Sequence, residues 1–433
     1  MLLIDNISEI YTGGSSSPAY RGGYILLEED IITAIGSTDS QDYIKYKEND
    51  TIESYNADNM IALPGLINTH CHAGMSILRG YADDMELMSW LQNKIWPFES
   101  RMGDEDIYWG TMLAIAEMLQ NGITTFHDMY FAVERIAGAV EETGIRAVIG
   151  LGLIEASDGE EGLQQTRNFI NNYQNTAEGR ITTNIAPHSP YTCSRDYLLK
   201  IIDLAVQLNS FIHIHVAETA GEVENIKADS GISPVEYLDE TGLFQIPVLA
   251  AHCVHLEPSD ITLLAENNVS VSHNPASNMK LGSGIAPISS MLESGVNISL
   301  GTDGAASNNA LDLIQDARLA SYLQKAINHD PRKLDLYQIL QLVTVNGARA
   351  LGLTKTGQLK EGYQADIILV DSSSSPNFYP GFNHLSNLFY AGSGEDVKTV
   401  FVAGDKLVEN NKLLTIDLER VYHEVEKRAD RLA

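Results

Sequence analysis

The middle of the chain alternates short apolar runs with longer segments in which apolar residues recur every three or four positions. Runs of the first kind have the length and composition of buried strands, and the longer segments have helical periodicity. The predicted strands lie at residues 60–66, 123–128, 147–152, 182–188, 211–216, 247–253, 269–273 and 297–303. Strands that alternate with helices in this way over residues 61–355 predict a (β/α)₈ barrel.

The helical segments between these strands are expected at residues 109–120, 196–208, 233–240, 259–266 and 311–326. A doubly wound open sheet would show the same alternation of strands and helices. We favour the barrel because polar residues recur at the carboxyl ends of many strands, whereas an open sheet gathers them at one switch point.

Both ends of the chain carry a β pattern instead. Apolar runs at residues 24–27, 31–36, 357–359, 365–370 and 397–404 are separated by turns rich in glycine, serine and acidic residues. We therefore predict an α/β protein in three parts. These are a small β-sandwich built from residues 1–60 and 356–415, a TIM barrel over 61–355, and a C-terminal surface helix over 416–433.

The composition narrows the classes of function. A formal net charge of −30 repels phosphate backbones and anionic lipid, so it argues against nucleic-acid and membrane-surface partners. No apolar run approaches the length of a membrane span, and the first residues lack the basic region of a signal peptide. Three scattered cysteines predict a reducing, cytoplasmic setting rather than a disulfide framework.

Two histidines at the end of the first predicted barrel strand point to a metal site. His70 and His72 are separated by one residue, so on a strand both side chains lie on the same face. Pairs of this kind also occur on solvated sheet edges, and the spacing alone leaves both interpretations open.

Further polar residues stand where later strands end, which is where barrel active sites lie. In the fifth strand, His215 is nearer that end than His213, so we interpret His215 as a third metal ligand and His213 as a hydrogen-bonded interior histidine. Glu218 follows the fifth strand and could reach over the site. His252 ends the sixth strand and is favoured for catalysis, and Asp303 ends the eighth strand as a ligand or general base.

This arrangement resembles the amidohydrolase superfamily. Longer strings narrow the resemblance to the S-adenosylhomocysteine/5′-methylthioadenosine deaminase group, which is also close to triazine chlorohydrolases. The strings are PGLINTHCH at 64–72, HSPY at 188–191, AHCVHL at 251–256, SHNPASN at 272–278 and GTDGAASN at 301–308. The likeness runs along nearly the whole chain.

The resemblance implies one divalent metal ion. Binuclear members carry a lysine after strand four, where this chain has the tripeptide at 186–188 without lysine, and mononuclear members carry a glutamate at the position of Glu218. Zinc suits such a site best, and iron or manganese would bind the same groups. The implied metal ligands are His70, His72, His215 and Asp303.

The resemblance also implies a hydrolytic deamination. The metal lowers the pKa of a bound water, and the hydroxide attacks the ring carbon that bears the exocyclic amine. Glu218 protonates the neighbouring ring nitrogen, and Asp303 takes the proton of the water and passes it to the departing ammonia. His252 hydrogen-bonds the attacking oxygen.

Substrate contacts are implied by the resemblance at four positions. Trp90 would pack near the sugar or the 5′ substituent, Glu99 and His188 would contact the ribose, and Glu218 would contact the ring nitrogen that it protonates. A helix-core role for Trp90 and a helix-surface role for Glu99 are the alternatives. Members that accept S-adenosylhomocysteine are expected to offer arginines near the end of strand three, but none occurs between Arg146 and Arg167. This departure favours nucleosides with an uncharged 5′ group.

We therefore expect a cytoplasmic deaminase of adenosine-type nucleosides such as 5′-methylthioadenosine, S-adenosylhomocysteine, 5′-deoxyadenosine or adenosine. The alternative within enzymes is a deaminase or chlorohydrolase of another aromatic ring, such as guanine, a pterin or a triazine. A catalytically inactive barrel used for binding is disfavoured because all implied ligands and Glu218 are present. The resemblance also implies a homo-oligomer.

Overall fold

The computed structural model describes residues 1–432 and contains two sheets. The strands of that range are β1 (Leu2–Ile10), β2 (Tyr20–Glu28), β3 (Ile31–Ser37), β4 (Glu53–Asn56), β5 (Met60–Pro64), β6 (Leu66–Cys71), β7 (Ile123–Tyr130), β8 (Arg146–Leu153), β9 (Ile181–Pro187), β10 (Ile212–Val216), β11 (Val248–His252), β12 (Ser270–His273), β13 (Asn297–Leu300), β14 (Ile367–Asp371), β15 (Val397–Val402), β16 (Asp405–Glu409) and β17 (Lys412–Leu413).

The predicted barrel is confirmed. Strands β6 to β13 form an eight-stranded parallel sheet in chain order, and its first and last strands come together. The backbone N–H of Asp303, just after β13, donates to the carbonyl of His70 in β6 at 2.9 Å. The Thr69 hydroxyl donates to the carbonyl of Leu300 at 2.9 Å. Side chains at the carboxyl ends of β6 and β13 are therefore neighbours.

Helices cover the barrel, and several begin at caps that are readable in the sequence. Ser233, for example, caps the helix Pro234–Glu240 in a capping box with Glu236. The α-helical segments are Gln41–Lys47, Leu87–Trp90, Trp96–Glu99, Asp104–Gln120, Val133–Thr143, Glu155–Tyr173, Thr176–Gly179, Arg195–Leu208, Ala220–Ser230, Pro234–Glu240, Pro258–Glu266, Pro275–Lys280, Ile288–Glu293, Leu313–Ile327, Leu336–Leu342, Val345–Ala350, His384–Tyr390 and Leu418–Leu432. A π-helical turn lies at Leu91–Ile95, and 3₁₀ turns lie at Ala73–Leu78, Leu243–Gln245, Pro376–Phe378 and Gly394–Asp396.

Strands from both chain ends form the second sheet, as predicted, but hydrogen bonds join them into one mixed sheet rather than two separate ones. Its order is β17-β16-β15-β14-β5-β1-β2-β3, and β4 pairs with β1. Ile4 and Ile25 from the N-terminal part share one hydrophobic core with Ile367 and Phe401 from the C-terminal part. The strand expected at 357–359 is wrong, because this segment forms a bend around Gly357 with a φ of +77°.

The strand predicted at 60–66 is two strands in different sheets. The backbone N–H of Gly65 donates to Asp366 of the terminal sheet at 2.9 Å, whereas the N–H of Leu66 donates to Gly122 at the barrel at 3.0 Å. A Cβ atom on residue 65 would lie 2.0 Å from Oγ1 of Thr124, so only glycine fits at this junction. A continuous apolar run therefore conceals the change of sheet.

Two charged contacts join the terminal sheet and the C-terminal helix to the barrel. Buried Arg146 in β8 donates from Nε to Asp366 beside the terminal sheet at 2.9 Å. The C-terminal helix packs on the helix Asp104–Gln120, where Arg431 Nη2 donates to Asp106 at 2.5 Å and Val421 is buried. Across residues 1–432, no helix has both the length and the apolar character needed to cross a membrane.

Candidate metal centre and catalytic cavity

The adjacency of β6 and β13 brings two histidines to one carboxylate. His70 lies at the end of β6 and His72 just beyond it, while Asp303 follows β13 in a left-handed conformation with a φ of +61°. Oδ1 of Asp303 is 3.4 Å from Nε2 of His70 and 3.2 Å from Nε2 of His72. His215 completes a group in which the potential ligand atoms of His70, His72 and His215 lie within 4.8 Å of one another.

A chain of hydrogen bonds fixes which nitrogen of His70 is protonated. Nδ1 of His213 lies 3.0 Å from the carbonyl of Leu249 and must donate to it, because a carbonyl only accepts. Nε2 of neutral His213 is then an acceptor and receives the Nδ1–H of His70 at 2.8 Å. Nε2 of His70 is left unprotonated, buried and without a hydrogen-bond partner among residues 1–432.

The other two histidines are oriented in the same sense. Nδ1 of His72 donates to the carbonyl of Met129 at 2.6 Å, and Nδ1 of His215 donates to the carbonyl of His188 at 2.6 Å. Each Nε2 is thus available as a ligand, held by an outer hydrogen bond as is usual for metal-binding histidines. Imidazole nitrogens and one carboxylate are a donor set that zinc prefers, so the residues fit a divalent metal ion.

Burial and neighbouring charges shift the pKa values of these groups in different directions. Burial lowers the pKa of His70 to about 3 and lowers the pKa of His215 far below its usual range, so both rings are neutral. Burial opposes ionisation of Asp303, but the imidazoles of His70 and His72, at 3.4 and 3.2 Å, outweigh burial and hold the pKa of Asp303 well below its ordinary value. Burial also opposes protonation of His72, but the Asp303 carboxylate outweighs it and raises the pKa of His72 to about 9, so a bound metal ion would replace the proton of His72. Oδ2 of Asp303 also accepts from Ser277 at 2.6 Å and Ser307 at 2.8 Å.

Glu218 lies beyond β10 and is positioned through its backbone. The carboxylate of Glu222 accepts the N–H groups of Ala217 and Glu218, each at 2.8 Å, and Ala217 has a φ of +51°. Burial raises the pKa of Glu218, which favours the protonated form that a general acid needs.

His252 ends β11 beside Glu218. Its backbone is left-handed, with a φ of +72°, and its Nδ1 lies 2.7 Å from Oδ1 of Asn278. His255 points elsewhere and donates from Nε2 to the carbonyl of Ser283 at 2.7 Å.

One cavity is lined by His72, His215, Glu218, His252 and Asp303. Its wall is mostly apolar, and its acidic members are Glu99, Glu218 and Asp303. None of the residues that line it, within the described range 1–432, is lysine or arginine. The apolar and aromatic members are Met75, Leu87, Trp90, Leu91, Ile95, Trp96, Met129, Tyr130, Phe131, Ile154, Tyr191 and Leu281.

All four predicted substrate-binding residues, which are Trp90, Glu99, His188 and Glu218, line this cavity. Trp90 is 4% exposed and donates from Nε1 to the carbonyl of Ala82 at 3.0 Å, so it packs in the helix and also faces the cavity. Glu99 accepts from the Tyr130 hydroxyl at 2.5 Å, and burial raises the pKa of Glu99. His188 directly follows β9 and lines the same cavity.

Three residues of the site, Tyr130, Glu222 and Ser283, are not predicted from the sequence. Tyr130 ends β7 and could have been found by the strand-end rule that singles out His252 and Asp303. Glu222 and Ser283 carry no local signal, because their contacts depend on the path of the loops.

Comparison with known proteins places the chain. The model of the amidohydrolase family matches residues 61–407. The chain belongs to the amidohydrolase family. The resemblance read from the sequence motifs is thereby confirmed at family level.

This amidohydrolase is 48% identical over 430 residues to the 5-methylthioadenosine/S-adenosylhomocysteine deaminase of Halothermothrix orenii, covering 99% of each chain. It is 33% identical to a crystal structure of an adenosine deaminase from Xanthomonas campestris with bound zinc, with a TM-score of 0.94 over 100% of this chain and 98% of the other. Atrazine chlorohydrolase TrzN from Arthrobacter aurescens shares the fold, with 24% identity, a TM-score of 0.91 and coverage of 99% and 100%.

Proposed function

We propose that this amidohydrolase is a metal-dependent hydrolytic deaminase of adenosine-type nucleosides, giving the inosine analogue and ammonia. The observation that carries the proposal is the cluster of His70, His72 and His215, with Asp303 at 3.4 and 3.2 Å from the first two, beside a cavity that is also lined by an acid, Glu218. The deaminase names of relatives that match over the full chain support the same reaction.

His70, His72, His215 and Asp303 would hold one divalent ion, and we propose zinc because the donor set suits it and the Xanthomonas relative binds it. Such an ion lowers the pKa of a water molecule so that hydroxide is available near neutral pH.

The protein's own residues then move protons. Asp303 accepts the proton of the water, and the oxygen adds to the ring carbon that bears the amine. Glu218, whose pKa burial raises, donates its proton to the adjacent ring nitrogen. His252 hydrogen-bonds the attacking oxygen and orients it. Asp303 finally passes its proton to the amine, the hydroxyl proton of the tetrahedral centre returns to Glu218, and the carbon–nitrogen bond breaks as ammonia leaves.

Glu99 and His188 would bind the ribose hydroxyls, and Trp90 would pack beside the 5′ substituent. The cavity wall supports an uncharged 5′ group, because no cation lines it in the described range to pair with an amino-acid carboxylate. We therefore propose that 5′-methylthioadenosine, 5′-deoxyadenosine and adenosine are better substrates than S-adenosylhomocysteine. A cytoplasmic location, a homo-oligomeric state and the lack of nucleic-acid partners stay predictions from the sequence.

An ammonia-release assay on zinc-loaded protein tests the proposal. The panel holds adenosine, 5′-methylthioadenosine, 5′-deoxyadenosine, S-adenosylhomocysteine, guanine and a chlorotriazine, with Glu218→Gln as the inactive control. We expect the wild-type protein to release ammonia from the nucleosides and the Glu218→Gln variant to release none. Turnover of free rings alone would reject the nucleoside assignment, and a higher kcat/KM for S-adenosylhomocysteine than for 5′-methylthioadenosine would reject the proposed preference.

A further inference from the structure

A short segment after β12 contacts the three residues to which we assign catalytic roles, Glu218, His252 and Asp303. The positioning segment, residues 277–283, comprises the second half of the helix Pro275–Lys280 and the loop behind it. Its side chains bond three separate strand ends of the barrel. The hydrogen bonds are Ser277 Oγ to Asp303 Oδ2 at 2.6 Å, His252 Nδ1 to Asn278 Oδ1 at 2.7 Å, and Ser283 Oγ to Glu218 Oε1 at 3.4 Å.

Of these three contacts, only that of Asn278 has good geometry and no second side chain that makes the same hydrogen bond. Asp303 has a second hydroxyl donor in Ser307, and the contact of Ser283 is long. For His252, the amide oxygen of Asn278 is the side-chain hydrogen-bond partner that the described residues provide.

The surroundings of Asn278 indicate that its amide is not there for packing. The side chain is buried, and its Nδ2 has no hydrogen-bond partner among residues 1–432. A buried donor without a partner is unfavourable and rare in native proteins. The hydrogen bond to His252 therefore offsets part of the free-energy cost of burying the Asn278 amide.

The backbone holds Asn278 in place. Its carbonyl accepts the N–H of Ser283 at 2.8 Å, which closes the turn behind the helix. His255 donates to the carbonyl of Ser283 at 2.7 Å and ties the end of the segment to the loop after β11. The amide oxygen of Asn278 is thus presented to His252 from a fixed position.

We propose that Asn278 is a positioning residue for His252, an inference that rests on the proposed function of this cavity. A neutral imidazole carries one N–H, and the amide oxygen of Asn278 retains it on Nδ1. Nε2 of His252 is then the acceptor available to the cavity, where it receives the O–H of the attacking oxygen and directs a lone pair of that oxygen at the ring carbon.

Two substitutions that keep the branched shape of the side chain test this role. Asn278→Leu removes the acceptor, and Asn278→Asp retains one. We expect Asn278→Leu to lower kcat by about 10–100-fold with KM changed by less than about threefold, because outer hydrogen bonds of site residues contribute at this scale. Asn278→Asp should recover at least about tenfold of that loss. Met279→Ala, an exposed neighbour on the same helix, is the matched control and should match wild type.

The assay uses whichever aromatic amine the wild-type protein turns over, with zinc content and Tm measured for each variant. Turnover of free rings only would reject the nucleoside assignment and leave this test intact. Equal losses in the Leu and Asp variants, or an unchanged kcat in Asn278→Leu, would overturn the role of Asn278. A wild-type protein that binds zinc and turns over no amine would overturn both proposals.

Discussion

At the scale of single residues, the metal centre depends on atoms that do not touch the metal. His213 lies one layer below His70 and makes two hydrogen bonds, one to the Leu249 carbonyl and one to Nδ1 of His70. Together these bonds keep Nε2 of His70 free of a proton. The alternation of a strand predicts that His213 is interior, but its effect on His70 follows only from the contact between β6 and β10.

Replacing His213 should therefore weaken zinc binding. We expect His213→Asn to raise the zinc Kd by about 10–100-fold, because the shorter side chain no longer fixes the tautomer of His70. Competition with a chromogenic chelator measures the Kd. His329→Asn is the matched control, since His329 is exposed and its left-handed backbone suits asparagine. An unchanged Kd in His213→Asn would refute the role.

A second residue-scale prediction concerns Asp316, which is buried and accepts hydrogen bonds from the Ala276 N–H at 3.3 Å and from Asn308 at 3.0 Å. Burial raises the pKa of Asp316 from 3.8 to about 8. In the unfolded chain the Asp316 carboxyl ionises near pH 4, whereas in the folded protein it stays protonated up to about pH 8. The stabilisation that Asp316 contributes is therefore complete below pH 4 and is lost as the pH rises to about 8.

Asp316→Asn removes this ionisation. The Tm of the variant minus that of wild type should therefore increase between pH 5 and pH 8, as measured by calorimetry in buffers of equal ionic strength. A difference that stays constant over this range would show that Asp316 ionises as freely in the folded protein as in the unfolded chain.

At the scale of elements, the junction between the two sheets is set by one glycine. The chain leaves the terminal sheet at Pro64 and enters the barrel at Leu66 without a loop, so residue 65 has hydrogen-bonding neighbours on both sides. The proposed metal ligands His70 and His72 follow within seven residues of that junction, and an error in its geometry would reach β6 directly.

Gly65→Ala should destabilise the protein by about 1–3 kcal/mol, because the new methyl group would overlap the side chain of Thr124. Urea unfolding monitored by fluorescence measures the change. Gly138→Ala provides the comparison, since a Cβ at that helical position meets no atom within 4 Å and should leave stability unchanged or slightly higher. Equal stability of the two variants would contradict the steric argument.

At the scale of the whole molecule, the terminal sheet and the barrel share a buried ion pair. Arg146 donates from Nε and Nη2 to the two carboxylate oxygens of Asp366 at 2.9 and 3.2 Å, and Nη2 also donates to Gln364 at 2.8 Å. Asp366 accepts the N–H of Ala403 as well, so the pair links β8 to both β14 and the turn after β15.

Arg146→Met should lower the free energy of unfolding by about 3–5 kcal/mol, because it leaves a buried carboxylate without its partner. The kcat should not change, since neither Arg146 nor Asp366 lines the cavity. Arg332→Met, which breaks an exposed pair with Asp330, serves as the control and should have no measurable effect. A loss of kcat at full stability in Arg146→Met would contradict this separation of roles.

The sequence alone determined the alternation of strands and helices, and with it the barrel and the strand-end positions of His70, His72, His215, His252 and Asp303. These features are readable because burial imposes a local period of two on strands and of 3.6 on helices. The same local signal failed at Gly65, where one apolar run serves two sheets, and at residues 357–359, where a buried Leu359 lies in a bend.

Only the tertiary structure decided which ligand nitrogens are free, that no cation within residues 1–432 lines the cavity, and that Asn278 holds His252. Each of these depends on contacts between residues far apart in the chain; His70 and His213, for instance, are 143 positions apart. Side-chain periodicity carries no information about such pairs, because they are fixed by the closure of the barrel and the paths of the loops over its carboxyl end.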